Sequence, residues 1–380
     1  MLAIMRARTR DEMRKFVPAM KNLLLVLSIA IGLACVCTAA RGQTANLEKE
    51  AACQTLRPAS TGGPLPANPN VLVVRSLGRA NYEVAYRGKV ILLDAWYDEL
   101  RLPYAQQFGI KAADVSRADV ILVGHTHFDH FGSAPPILKR TNADILLGPP
   151  GHQKLLDEGV PEAQIKIVRG GETIKRDGYT IQTALAIHMP IDQAGGLAWR
   201  TLMDKTTPLT EQEKAQFVEW RKGDADGLKM YLAEDPLDPD KDTWYHGTIV
   251  YVVTFDDGFR FLFSDTAGVL SGGERVLADS IHADGGKIDL AILGYLQTGF
   301  NLQKAIETTG RRTQVWDPAI FIPSHFNDGE KSDLPEMPTA PLFEAFRELA
   351  PHTKGIQPLY RSPICIDTKT GSFFVGNDVR

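Results

Sequence analysis

The chain has 380 residues, 44% of them hydrophobic and 23% charged, with 33 Gly and a formal net charge of −4. This is globular composition, long enough for one large domain or two modest ones, and it excludes a disordered or fibrous chain. The acidic balance argues against a general polyanion-binding surface, so no nucleic-acid partner is expected.

Arg6, Arg8, Arg10, Arg14, Lys15 and Lys21 precede the apolar run LLLVLSIAIGLACV (Leu23 to Val36), and small residues follow in CTAARGQ. That succession has the layout of a signal peptide over residues 1–42, cut between Ala40 and Gln43. Met20 offers an alternative start. A lipoprotein signal fits poorly, because Gly32 stands three before Cys35. The run is shorter than the roughly 18 residues of a membrane-spanning helix, so a periplasmic or secreted protein without a stable span is expected, with a retained anchor as the alternative. Removing residues 1–42, which hold seven Lys/Arg and two Asp/Glu, takes the net charge from −4 to −9. Of four cysteines, Cys53 and Cys365 then remain. They could pair in an oxidising compartment or be two unrelated thiols.

Residues 43–70 carry RPASTGGPLPANPN and read as an extended lead-in, with the packed domain spanning 71–380. VLVV (Val71 to Val74) reads as a strand, and YEVAYRGKVILLDAW (Tyr82 to Trp96) as a hairpin turning at Arg87-Gly88. ADVILVG (Ala118 to Gly124) and ADILLG (Ala143 to Gly148) are buried strands. A short helix, HQKLLDEG, precedes the strand GYTIQTALAIH (Gly178 to His188). TIVYVVTFDDGFRFLFSD (Thr248 to Asp265) is a second hairpin, turning at Asp257-Gly258. IDLAILG (Ile288 to Gly294) and AIFIPSH (Ala319 to His325) are further buried runs separated by helical sequence. Hairpins mixed with strand-helix units predict two mixed sheets covered by helices.

The segment GHTHFDHFG places His125, His127, Asp129 and His130 within six residues, in a chain of nine His. It follows an apolar strand, and ligands gather at the carboxyl ends of strands in open α/β sheets. Imidazoles with a carboxylate suit a metal such as zinc. Other strands also end in metal-type side chains: IQTALAI in His188, FRFLF-Ser264 in Asp265, and AIFIPS in His325.

In these motifs the sequence resembles the metallo-β-lactamase superfamily over roughly Val71 to Val375. The resemblance implies an α/β (α+β) fold, an αββα sandwich of two mixed sheets flanked by helices. It implies two divalent metal ions, zinc by preference: His125, His127 and His188 would hold one, Asp129, His130 and His325 the second, and Asp265 would bridge them. A bridging aspartate is similar to the glyoxalase, lactonase and phosphodiesterase branches and is absent from the β-lactamases, so antibiotic hydrolysis is not expected. IDLAILGYLQTGF followed by DPAIFIPSHF resembles the branch of ascorbate-phosphate lactonase and N-acylphosphatidylethanolamine phospholipase D. Where that branch commonly has Gly-His-Ala, this chain reads LGRANYEV (Leu77 to Val84).

Two cations about 3.5–4 Å apart can share a hydroxide that attacks an ester, lactone or phosphodiester. Asp129 would bind a metal and orient that nucleophile, and Tyr295 is a candidate oxyanion donor. A small-molecule or lipid-like substrate is expected. An insert at about 194–245 holds Trp199, Trp220 and Trp244 and reads as helical, either a lid over the metals or an outer decoration. LSGGE (Leu270 to Glu274) reads as a glycine-rich turn, since no phosphate loop accompanies it. DPDKD (Asp238 to Asp242) reads as a solvated turn, and His152, His246, His282 and His352 as surface or structural residues. Two rivals remain: an iron-dependent oxygenase or redox protein on the same fold, and a metal-stabilised binding protein without turnover.

Overall fold

Apolar runs bounded by turn residues become strands here, most of them buried on both faces. The computed structural model describes residues 46–97, 110–188, 248–296, 302–326 and 337–376, apart from the side chains of Phe128 and Asp129. The expected signal peptide and the insert at about 194–245 lie outside the described residues.

The strands are β1 (Val71–Ser76), β2 (Tyr82–Tyr86), β3 (Lys89–Leu93), β4 (Val120–Leu122), β5 (Asp144–Leu147), β6 (Ile165–Ile167), β7 (Thr173–Arg176) and β8 (Tyr179–Leu185). They continue as β9 (Ile249–Phe255), β10 (Arg260–Ser264), β11 (Leu290–Gly294), β12 (Ile320–Ser324), β13 (Lys354–Gly355), β14 (Ile364–Asp367) and β15 (Phe373–Val375). Helices are α1 (Phe128–Phe131), α2 (Ala134–Thr141), α3 (Gly151–Asp157), α4 (Gly272–Ala283), α5 (Leu302–Trp316) and α6 (Thr339–Leu349). One sheet runs β15-β14-β1-β2-β3-β4-β5-β6, the other β13-β12-β11-β10-β9-β8-β7.

Both sheets mix parallel and antiparallel pairs. Leu72, Val84, Ile91 and Leu122 of the first meet Ile181, Val253, Phe261 and Ile322 of the second in one buried core. The alternate residues of the second sheet, among them Val252, Leu262, Ala291 and Phe321, pack with Ala278 of α4, Trp316 of α5 and Phe346 of α6. Leu92, Ile121 and Leu147 of the first sheet are equally buried, as are Ile137 and Leu138 of α2 and Leu155 of α3. Two mixed sheets flanked by helices are thus the architecture expected from the sequence.

The predicted turns are found. Arg87 and Gly88 both take positive φ (49° and 79°), the pairing that suits the twist of a two-residue hairpin loop. Gly258 (φ 90°) occupies the second.

Two expectations are corrected. LSGGE is a helix start: Ser271 caps α4, its side chain accepting from Glu274 N while Glu274 reaches back to Ser271 N. Two glycines obscured a capping box. The lead-in is packed instead of merely extended. Arg75 and Glu83, facing each other across β1 and β2, are wholly buried, and both hydrogen-bond to its backbone. Glu83 accepts from Ala59 N (2.9 Å) and Ser60 N (2.7 Å), and Arg75 donates to Ala52 O and to Thr55 O (3.2 Å). Cys53 in this segment is disulfide-bonded to Cys365 of β14.

Candidate metal centre

Strand directions bring one set of chain ends together. β3 and β4 are parallel, so Asp94 and the Gly124 to His130 segment leave from neighbouring ends. In the other sheet β8 is antiparallel to β9 and β9 to β10, which returns β8 to the direction of β10; β10, β11 and β12 are parallel. The ends of β8, β10 and β12 lead to His188, Asp265 and His325. The sheets are stitched at this edge: Ile249 N donates to Gly124 O at 2.7 Å, and the Tyr251 hydroxyl donates to Val123 O and Leu146 O.

Six of the seven predicted ligands come together there, each at most 6% exposed. His125 Nε2 lies 2.9 Å from His127 Nδ1 and 3.1 Å from His188 Nε2. A tetrahedral ion with metal–nitrogen bonds of about 2.0–2.1 Å has ligand–ligand edges of about 3.4 Å, so the three nitrogens fit one cation with little movement. His130 Nε2 faces His325 Nε2 at 3.2 Å. Asp265 stands between the two groups, Oδ2 being 2.7 Å from His125 Nδ1 and 3.1 Å from His130 Nδ1. Its Oδ1 is buried and has no hydrogen-bond partner, which costs about 1–3 kcal/mol and which a cation would relieve. Asp129 lies on α1 beside His130, its side chain outside the described set.

Asp94 joins this site, and sequence reading passed over it. It ends β3 in LLDAW, the same strand-end signal that marked His188, Asp265 and His325. Its Oδ2 accepts from His130 Nδ1 at 2.7 Å and its Oδ1 from Gly124 N at 3.0 Å. With the Nδ1 proton engaged, the ring presents its Nε2 lone pair to a metal. Burial first, then the Asp265 carboxylate, push Asp94 up to about 8. Burial alone would raise Asp265 too, but His125 and His130 beside it hold it below the usual carboxylate range. Asp94 and His325 both carry positive φ (58°), a backbone state that aspartate and histidine adopt more readily than most residues.

Gly124 explains how Asp265 comes so close. A Cβ there would lie 2.1–2.3 Å from the Asp265 carboxyl atoms. Only glycine leaves the space.

Tyr295 is placed differently from its expected role. It is buried in the core under α5 and α6, and its hydroxyl donates to Pro338 O at 3.0 Å. Burial pushes it up to about 12. This is a packing position, so the oxyanion-donor expectation is corrected. His282 and His352 are exposed, and His152 sits 4.0 Å from Glu162 at the surface. DPDKD and His246 lie outside the described residues.

Residues 79–193, which carry His125 to His130 and His188, match the family model of the metallo-beta-lactamase superfamily. A UPF0173 metal-dependent hydrolase of Pyrobaculum arsenaticum is 33% identical over 116 residues, 30% of this chain and 50% of that protein. The endoribonuclease YSH1 of Gibberella zeae is 39% identical over 71 residues, 17% of this chain and 8% of its own. The chain thus spans about half the length of the first of these relatives. Among solved structures, Igni18, a metallo hydrolase from Ignicoccus hospitalis, aligns with TM-score 0.49 and 15% identity over 78% of this chain and 98% of its own. The cluster His125, His127, His188, with His125, His130 and Asp265 adjoining it, is capable of holding metal.

Proposed function

We propose that this protein is an exported dinuclear zinc hydrolase acting on an ester, lactone or phosphodiester. The observation that carries the reading is the convergence of three histidine nitrogens on one buried point, with a facing His130–His325 pair across Asp265. The names of the matched relatives, a metal-dependent hydrolase and an endoribonuclease, are consistent with hydrolysis.

His125, His127 and His188 would hold one ion and Asp129, His130 and His325 the other; Asp265, which here sits against Nδ1 of His125 and of His130, would turn toward the ions to bridge them. Bound divalent ions supply an acidified water as nucleophile and polarise the substrate's carbonyl or phosphoryl oxygen. The chain's own residues do the rest. Asp265 engages Nδ1 of His125 and Asp94 that of His130, so each ring offers Nε2 in a fixed orientation. Burial of the whole set lowers the local dielectric and strengthens every charge interaction with a substrate. No serine or cysteine nucleophile is required.

The test is a screen of phosphodiesters, lactones and thioesters with the metal-depleted protein, before and after zinc is restored. Zinc-dependent turnover of at least one class, abolished by Asp265→Ala, is the expected result. Turnover of none, or turnover unaffected by metal depletion, rejects the reading. Export is checked by the intact mass of protein from the cell envelope, which should begin between Arg41 and Gln43; a soluble cytoplasmic form retaining residues 1–42 contradicts it.

A further inference from the structure

Ser264 and Thr266 flank Asp265, and one side chain grips both. Arg312 of α5, only 1% exposed, donates from Nη1 to Thr266 O at 2.7 Å and from Nη2 to Ser264 Oγ at 2.9 Å. Its other N–H groups go to Glu274 Oε1, at 3.1 Å from Nε and 2.7 Å from Nη2. Glu274 completes the α4 cap with Ser271, and the Ser271 hydroxyl donates to Leu185 O at 2.6 Å, three residues before His188. The contact is tight enough to need glycine: a Cβ on Gly268 would lie 1.7 Å from Ile187 O. One buried ionic group therefore reaches the two strand ends that carry Asp265 and His188.

Stability does not explain the pair. Taking two ions out of water costs about what their attraction returns, and an apolar pair of similar volume is often as stable. The geometry of the fork is what an apolar pair could not replace: four directed hydrogen bonds from one planar group, which a lysine ammonium cannot reproduce.

We infer that Arg312 and Glu274 are positioning residues of the metal centre, setting Asp265 from both sides and tying that setting to the strand end of His188. The inference rests on the zinc-hydrolase reading. Its test uses the full chain and zinc alone as probe. Arg312→Met combined with Glu274→Leu removes both charges and keeps the volume. Loss of an outer partner of this kind typically weakens metal binding 10- to 100-fold. The expected result is a cooperatively unfolding variant whose zinc affinity, by competition with a chromogenic chelator, falls by that factor, with an altered visible spectrum on cobalt substitution. Arg312→Lys, which keeps the charge and loses the fork, covers the case in which the double variant does not fold, and should show the same weakening. Unchanged zinc affinity and cobalt spectrum in a folded variant overturn the inference while leaving the hydrolase reading intact. If the unaltered protein binds no zinc, that reading fails and the inference falls with it.

Discussion

Arg75–Glu83 and Arg312–Glu274 are both buried ion pairs, at most 1% exposed, yet their spare hydrogen-bonding groups go to different places. The first pair meets through one 3.5 Å contact, and the Glu83 carboxylate and Arg75 Nη2 bind the backbone of residues 52–60, fastening the lead-in to the sheet. The second meets through two shorter contacts and turns its remaining atoms on the flanks of Asp265. Since pairing itself returns little net stability in either case, the consequence of losing a pair depends on what else it holds.

The largest expected effect is on the fastening pair. Glu83→Ala leaves Arg75 charged and buried without its carboxylate and strips Ala59 N and Ser60 N of their acceptor. Urea unfolding should show a loss of about 3–5 kcal/mol, the usual consequence of breaking a buried pair, with zinc uptake by the folded fraction unchanged. A variant that keeps its stability and loses zinc would erase the distinction between the two pairs.

The comparison sharpens at Gly124, which touches the centre without touching either pair. Gly124→Ala sets a methyl group against the Asp265 carboxylate and must displace it. A shift of roughly 1 Å at such a position costs about 100-fold in turnover. Steady-state kinetics on whichever substrate class proves active should show that loss beside a much smaller change in urea midpoint; wild-type turnover would mean that Asp265 does not depend on this close approach.

The smallest effect is expected at Tyr295. Tyr295→Phe removes the bond to Pro338 O and should lower stability by about 1 kcal/mol while leaving kcat within twofold. A tenfold fall in kcat at unchanged stability would restore the oxyanion role.

What was legible in the sequence is what local spacing encodes. HTHFDH declares itself because its chemistry sits in one segment, and the apolar runs declare their strands because both faces are covered. Asp94 carried the same strand-end signal as His188, Asp265 and His325 but has no place in the seven-ligand pattern that the resemblance supplies. Glu274 was hidden because the two glycines of LSGGE suggest a turn, and its partner Arg312 lies 38 positions away. The short strands β6 and β13 exist through pairing with β5 and β12 across intervening helices, which no local pattern records. β7 and β15 are hairpin partners of β8 and β14 whose side chains are nowhere fully buried and so leave no apolar run to read. The packing of the lead-in likewise depends on Arg75, Glu83 and Cys365, all remote from it in the chain.

The central claim, that the converging side chains make a two-metal centre, is tested most directly by counting. Metal-depleted full-length protein is titrated with zinc, and bound metal is measured by elemental analysis after desalting. Two equivalents per chain are predicted, falling to one or none in Asp265→Ala. A single tightly held equivalent in the unaltered protein, whatever its preparation, would contradict the account.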